Sequence, residues 1–204
     1  MFGKEVADIA IGYVIALARQ TFYIDRKIRS GAWPKPVGIS LNEKVAAVVG
    51  YGDIGKNTVE RLKALGMNVI VYDPFIKEKY QAKNISFAEW PERINEADFI
   101  VMNCALSQSS FHMVNSEVFP KMKNGVRIVN VGRGQLIEES SLINFLNSGK
   151  VHSVALDVFE VEPITLSSPL LRFENCIFGS HNSSNTIEGA VSYTHLRAHE
   201  TRSY

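Results

Sequence analysis

Lys44-Val45-Ala46-Ala47-Val48-Val49-Gly50-Tyr51-Gly52-Asp53-Ile54-Gly55 decides the fold. Lys44–Val49 is a short apolar run that ends in glycine, as a strand buried on both faces in a parallel sheet does. Gly50, Gly52 and Gly55 then stand in G-x-G-x-x-G spacing where the strand gives way to a helix. In that setting the first glycine permits the tight turn and the second lets a pyrophosphate approach the backbone. The third lets helix and strand pack closely. Free amides at the helix start face the phosphates. Asp53 puts a negative charge inside this loop, so its side chain must turn outward or the phosphates must lie elsewhere.

Outward from this turn the chain alternates. Ile54–Leu65 reads as a helix closed by Gly66, and Asn68–Tyr72 as a second strand. Further strands are expected at Asp98–Asn103, Val126–Val131, Ser153–Val158 and Asn175–Phe178. Helices are expected around Glu92–Glu96, from caps at Asn115 and Ser116 through Phe119, and over Glu138–Asn147. Six strands alternating with helices predict an α/β fold, a doubly wound parallel sheet of the Rossmann type. Ahead of it, Lys4 to about Arg29 has apolar residues at helical steps. It predicts one long leading helix that packs on the sheet, on another lobe or on a second subunit.

Asp73 follows the second strand, 23 residues after Gly50. A carboxylate there accepts hydrogen bonds from a ribose 2′-hydroxyl and repels a 2′-phosphate, which favours NAD over NADP. Asp73-Pro74 also reads as a plain turn, and a methyltransferase carries its own glycine loop and acid.

The 204 residues are 46% apolar and 21% charged, with a net charge of +1. This is an ordinary globular composition with no electrostatic case for nucleic acid or an anionic membrane. The uncharged apolar run Ile9–Ala18 is too short to span a bilayer. Glu5 and Asp8 argue against a secretory leader, so a cytoplasmic location is expected. Cys104 and Cys176 have no metal-ligand spacing and read as buried small hydrophobes, with no metal site expected.

Ligands of open parallel sheets bind at the carboxyl ends of the strands. Three polar groups fall there: Arg133 in Asn130-Val131-Gly132-Arg133-Gly134, Glu162 before Pro163, and His181 in Gly179-Ser180-His181-Asn182. Together they suit carbonyl–alcohol redox chemistry. An arginine holds a carboxylate in a bidentate pair, a histidine passes the alcohol proton near neutral pH, and a carboxylate orients the imidazole. Each also has a plain reading, as a turn residue, a loop charge or a structural histidine. His112, His152, His195 and His199 receive no role.

From about Gly3 to about Ala190, through GYGDIG with YDP, VNVGRGQLIEESSL, ALDVFEVEP and SHNSSNT, the chain resembles the NAD-binding domain of the D-isomer-specific 2-hydroxyacid dehydrogenases, in the manner of their phosphoglycerate dehydrogenase members. The resemblance implies hydride transfer between NAD and a small 2-hydroxy or 2-keto acid. It implies that Arg133 binds substrate, that Glu162 is the acid paired to the histidine, and that His181 is the proton donor and acceptor. Asp157 falls where the family binds the nicotinamide carboxamide, Asp53 and Ile54 where it meets the pyrophosphate, and Asp73 where it meets the adenosine ribose. Backbone at Ala105 and Val131, with Ser110, Arg133 and His181, falls at further cofactor contacts. The family shows proline at 105 and threonine at 107 and 110, where Ala105, Ser107 and Ser110 stand here.

The implied organisation is one NAD-binding domain over 3–190, with an interlobe and dimer-type helix at 3–30 and a sheet core at 42–181. A homodimer is the expected assembly. The family's second lobe is expected to be missing, because Met1 begins inside the leading helix. The tail 191–204 does not match the family and reads as foreign sequence joined to a truncated frame. A non-catalytic NAD-sensing module of the same fold is the alternative.

Overall fold

The computed structural model describes residues 3–76 and 83–188. The tail at 191–204 lies outside the described residues. Helices α1 (Gly3–Arg19) and α2 (Thr21–Arg29) precede β1 (Val45–Val49), α3 (Asp53–Ala64), β2 (Asn68–Tyr72), β3 (Ile85–Phe87) and β4 (Phe99–Met102). Then come β5 (Val126–Asn130), α4 (Glu139–Asn147), β6 (Val151–Leu156) and β7 (Ile177–Phe178). Among the described residues the seven strands form one sheet in the order β3-β2-β1-β4-β5-β6-β7. Every pairing is parallel. The order reverses between β1 and β4, and in open parallel sheets the carboxyl ends of the strands at such a switch point are where the ligand crevice lies.

Both faces of the sheet are covered, which is why its strands read as unbroken apolar runs. Side chains alternate across a strand. Ala47 and Val49 join Ile70, Ile100, Ile128 and Leu142 of α4 in one core cluster. Ala46 and Val48 join Val59 and Leu62 of α3, and Val6, Ala10, Val14 and Leu17 of α1, in the other. The leading helix therefore buries its apolar stripe on the sheet. Arg61 Nε also lies 2.8 Å from Asp8 Oδ1, across α3 and α1.

Three expectations need correction. The long leading helix is two helices, because Gln20 adopts a left-handed backbone (φ 55°). Beyond that break α2 buries no residue. Arg26 donates to the Glu174 and Cys176 carbonyls, and Lys27 pairs with Glu174 at 2.8 Å. The caps at Asn115 and Ser116 start no α-helix. Asn115 Oδ1 accepts the Glu117 amide at 3.0 Å, and a single 3-10 turn follows at Phe119–Lys121. Pro120 lacks the amide that a continuing helix needs. The sheet has a seventh strand, β3, an edge of three residues with one buried side chain, too short to show a period. Cys104 and Cys176 are both free thiols, and burial pushes each up to about 11. Among the described residues no helix is long and apolar enough to cross a membrane.

Candidate functional site

In a parallel sheet every carboxyl end lies on one edge. The turns after β1, β4, β5, β6 and β7 therefore meet there, and backbone bonds carry the ladder past the strand ends. Gly50 N donates to Tyr72 O (2.8 Å), Asn103 N to Val49 O (2.8 Å) and Val131 N to Met102 O (3.2 Å). Asp157 N donates to Asn130 O (3.0 Å) and Gly179 N to Leu156 O (2.8 Å).

The glycine loop occupies the crevice. Gly50 has φ 92°, and a Cβ there would stand 2.7 Å from Cys104 N. Both the backbone and the space require glycine. A Cβ on Gly55 would overlap the Gly50 carbonyl oxygen, so the helix start and the turn touch. Gly52 differs, because a Cβ on it would meet nothing within 4 Å. The loop is tight underneath and open above, the shape that a diphosphate needs over free amides.

Asp53 faces the first turn of α1, where a side chain on Gly3 would overlap its carboxylate. Asn57 Nδ2 donates to Asp53 Oδ1 at 3.3 Å. Ile54 is half-buried against the α1–α3 core. Asp73 Oδ2 accepts the Tyr51 amide at 2.7 Å, and Oδ1 accepts the Phe75 amide at 2.9 Å. Sequence reading missed Asn103, at the switch crevice just past β4. Its Oδ1 and Nδ2 are both buried with no hydrogen-bond partner among the described residues. A buried unpaired amide at a ligand edge is a group prepared for a partner. A polar residue ending the apolar run Phe99–Met102 was the signal. This unpaired amide and the open space above Gly52 both fit a dinucleotide.

Ala105 is exposed, and its carbonyl accepts the hydroxyl of buried Ser110 at 2.9 Å. The turn after β4 is thus braced by Ser110. Val131 is buried beside it.

Arg133 is exposed, and its Nη1 donates to Gly132 O at 2.7 Å. Its turn is stapled by Asn130, which sequence reading passed over. Asn130 Oδ1 accepts the Gly132 amide (3.0 Å) and Nδ2 donates to Arg133 O (2.9 Å). At 1% exposure, Asn130 is a polar end to a buried strand.

His181 Nδ1 lies 2.8 Å from Glu162 Oε2, and Glu162 Oε1 accepts the Phe159 amide at 2.9 Å. Burial pushes the Glu162 carboxyl up. The hydrogen bonds from His181 and the Phe159 amide, with the charges of His181 and Arg133, outweigh that and hold it below the usual glutamate value. Arg133, Glu162 and His181 thus form one neighbourhood.

His181 has φ 55°, a left-handed backbone rare for a side chain of its size. Asp157 holds it there. Asp157 O accepts the His181 amide at 2.7 Å. Its carboxylate accepts the Asn182 amide (3.2 Å), the Ser183 amide (3.0 Å) and the Ser183 hydroxyl (2.5 Å). The strand expected to run through Val158 ends at Leu156, which leaves Asp157 free to organise this turn. At 2% exposure it is the buried post of the edge.

Residues 11–183 match the family model described as "D-isomer specific 2-hydroxyacid dehydrogenase, NAD binding domain". D-3-phosphoglycerate dehydrogenase of Archaeoglobus fulgidus is 33% identical over 191 residues, covering 92% of this chain and 36% of the relative. Hydroxypyruvate reductase of Thermotoga maritima is 36% identical over 188 residues, covering 90% of this chain and 61% of the relative. The crystal structure of a glyoxylate reductase from Paecilomyes thermophila superposes with a TM-score of 0.89 at 32% identity, covering 99% of this chain and 62% of that one. The chain thus spans about one to two thirds of the length of the proteins it resembles. The matched segment takes in the glycine loop, Asp73, Arg133, Glu162 and His181, and the chain belongs to the D-isomer specific 2-hydroxyacid dehydrogenases as an NAD-binding domain of that family.

Proposed function

We propose that this domain holds NAD across the crevice between β1 and β4, and that its protein passes hydride between NAD and a small D-2-hydroxy acid. The nicotinamide ring, when bound, supplies and accepts the hydride. Amides at the start of α3 take the diphosphate, and Asp73 takes the adenosine ribose. Arg133 swings off the Gly132 carbonyl to grip the substrate carboxylate and polarise its neighbouring carbonyl. His181 Nε2 gives the proton to the nascent alkoxide and takes it back in oxidation. Glu162, on Nδ1, fixes the ring's orientation. Asp157 keeps that ring over the edge and would take the nicotinamide carboxamide. Backbone at Ala105 and Val131, with Ser110, completes the cofactor contacts.

The observation that carries this reading is the 2.8 Å Glu162–His181 pair on the same strand edge as the glycine loop. The reading includes a cytoplasmic protein that pairs with a second copy of itself. Phe22 and Ile28 on α2, 47% and 41% exposed, are the apolar groups offered for that contact.

The test is fluorescence titration of this chain with NADH, followed by turnover assays of the full-length parent with glyoxylate, hydroxypyruvate and 3-phosphoglycerate, since the chain without the second lobe is expected to turn over poorly. NADH binding with turnover that His181→Ala abolishes supports the proposal. Absence of NADH binding overturns it. NADH binding without turnover of any 2-hydroxy or 2-keto acid favours the sensing reading.

A further inference from the structure

A second histidine–glutamate pair stands beside the first. His112 Nε2 lies 2.7 Å from Glu160 Oε1. Two further bonds close a ring through Gln135. The His112 amide donates to the Gln135 carbonyl (2.8 Å), and Gln135 Nε2 donates to the Glu160 carbonyl (3.0 Å). The ring is braced from outside. Val114 and Ile137 form a parallel bridge, the Glu139 amide donates to Glu160 Oε1 at 3.0 Å, and the Phe111 ring stacks on His112 at 4.0 Å. Gly134 packs so tightly on the Phe159–Glu160 backbone that a Cβ would overlap it.

The ring's members sit next to the chemistry-bearing residues. Gln135 is two residues after Arg133, and Glu160 is two before Glu162. Arg133 and Glu162 lie in turns after different strands, β5 and β6, and their own side chains make no direct bond that would fix their separation among the described residues. The ring crosses that gap. The groups facing His112 are Glu160 and, more distantly, Glu138; Glu139 faces Glu160.

We infer that His112, Gln135 and Glu160 are positioning residues, which hold the Arg133 turn and the Glu162 turn at the spacing that the reaction needs. The inference rests on the proposed roles of Arg133, Glu162 and His181. His112 touches no reacting atom in this assignment and acts through Glu160.

The experiment follows the Glu162 carboxyl, assigned by Glu162→Gln, in the carbon-13 spectrum of the 204-residue chain. The variants are His112→Asn, Glu160→Ala and Glu160→Gln. Asparagine tolerates the left-handed φ of 48° at position 112 but is too short to reach Glu160. With the ring open, Arg133 and His181 hold Glu162 less firmly. Its titration midpoint should then rise by about half a pH unit in His112→Asn and in Glu160→Ala. Glu160→Gln keeps an oxygen for the Glu139 amide and should show less than half of that rise. NADH affinity should stay within about twofold in all three. An unmoved Glu162 midpoint in His112→Asn overturns the inference, whether or not Glu160→Ala folds. Failure of the wild-type chain to bind NADH overturns the functional reading instead, and is a separate result.

Discussion

Asp73 Oδ2 lies 2.7 Å from the Tyr51 amide, so the acid after β2 and the glycine loop after β1 are one bonded unit. A carboxylate oxygen has two acceptor sites, which leaves Asp73 able to take a ribose hydroxyl while it braces the loop. Asp73→Ala removes both functions and takes the carboxylate acceptor from the Tyr51 and Phe75 amides. NADH affinity should fall by roughly tenfold. The preference for NADH over NADPH should fall as well, because the charge that repels a 2′-phosphate is gone. Parallel titrations with the two reduced cofactors check this. An unchanged ratio reduces Asp73 to a turn residue.

Gly55 has no room for a methyl group, since a Cβ would overlap the Gly50 carbonyl. Gly55→Ala must push α3 away from the turn. The expected cost is roughly 1–3 kcal/mol of folding stability, with NADH binding lost in the remaining folded protein. Gly52→Ala meets nothing within 4 Å. It should keep stability and lose affinity only, because its methyl enters the space above the loop. Urea unfolding and NADH titration of the two variants side by side separate packing from ligand space.

The Glu162 carboxyl sits below the usual glutamate value in the folded chain. A depressed acid adds stability that is fully present above its unfolded value, about 4.3. That stability is lost as pH falls through the lower folded value. Wild-type melting temperature should therefore drop faster with acid below about pH 4.3 than that of Glu162→Gln, and the two slopes should converge above it. Melting curves from pH 3 to 7 check the sign. Identical slopes would mean that His181 and Arg133 do not hold the carboxylate.

The parts legible in the sequence were those where one short segment carries the whole signal. Val45–Val49 is buried on both faces, so it has no polar interruption to misread. Gly50 and Gly55 are forced by local crowding and stand in a fixed spacing. What escaped was settled by partners distant in the chain. Gln20 breaks the leading helix although its neighbours keep helical periodicity. Ile85–Phe87 is a strand only because β2 offers it an edge. Asn130 and Asn103 look like strand ends until the sheet puts one under Arg133 and the other in the switch crevice. His112 has no local motif, and its importance comes from Glu160, 48 residues on. The convergence of Arg133, Glu162 and His181 was readable because parallel strands must share their carboxyl edge. The Glu162–His181 pairing came with the family resemblance, whereas the Asp157 clamp that holds His181 in place carries no local motif.

Asp157 is the residue on which that edge most depends. The residue is 2% exposed, and its carboxylate accepts two amides and a hydroxyl from Asn182 and Ser183. It holds His181 in a left-handed conformation, which is strained for a residue with a side chain. Asp157→Ala leaves three donors without their acceptor, two of them on buried Ser183, each at a cost of about 1–3 kcal/mol if no water enters. The turn should respond by releasing His181 to an ordinary backbone conformation rather than by unfolding the sheet. Hydrogen exchange should therefore accelerate at the His181 and Ser183 amides by about tenfold or more while the β5 amides stay protected. The Glu162–His181 contact should be lost in the same variant, visible as a rise of the Glu162 carboxyl midpoint toward the usual glutamate range. Asp157→Asn keeps one acceptor oxygen and should retain part of the protection. Uniform acceleration across the sheet would show that Asp157 supports the whole fold, and an unchanged His181 amide would show that the turn stands without it.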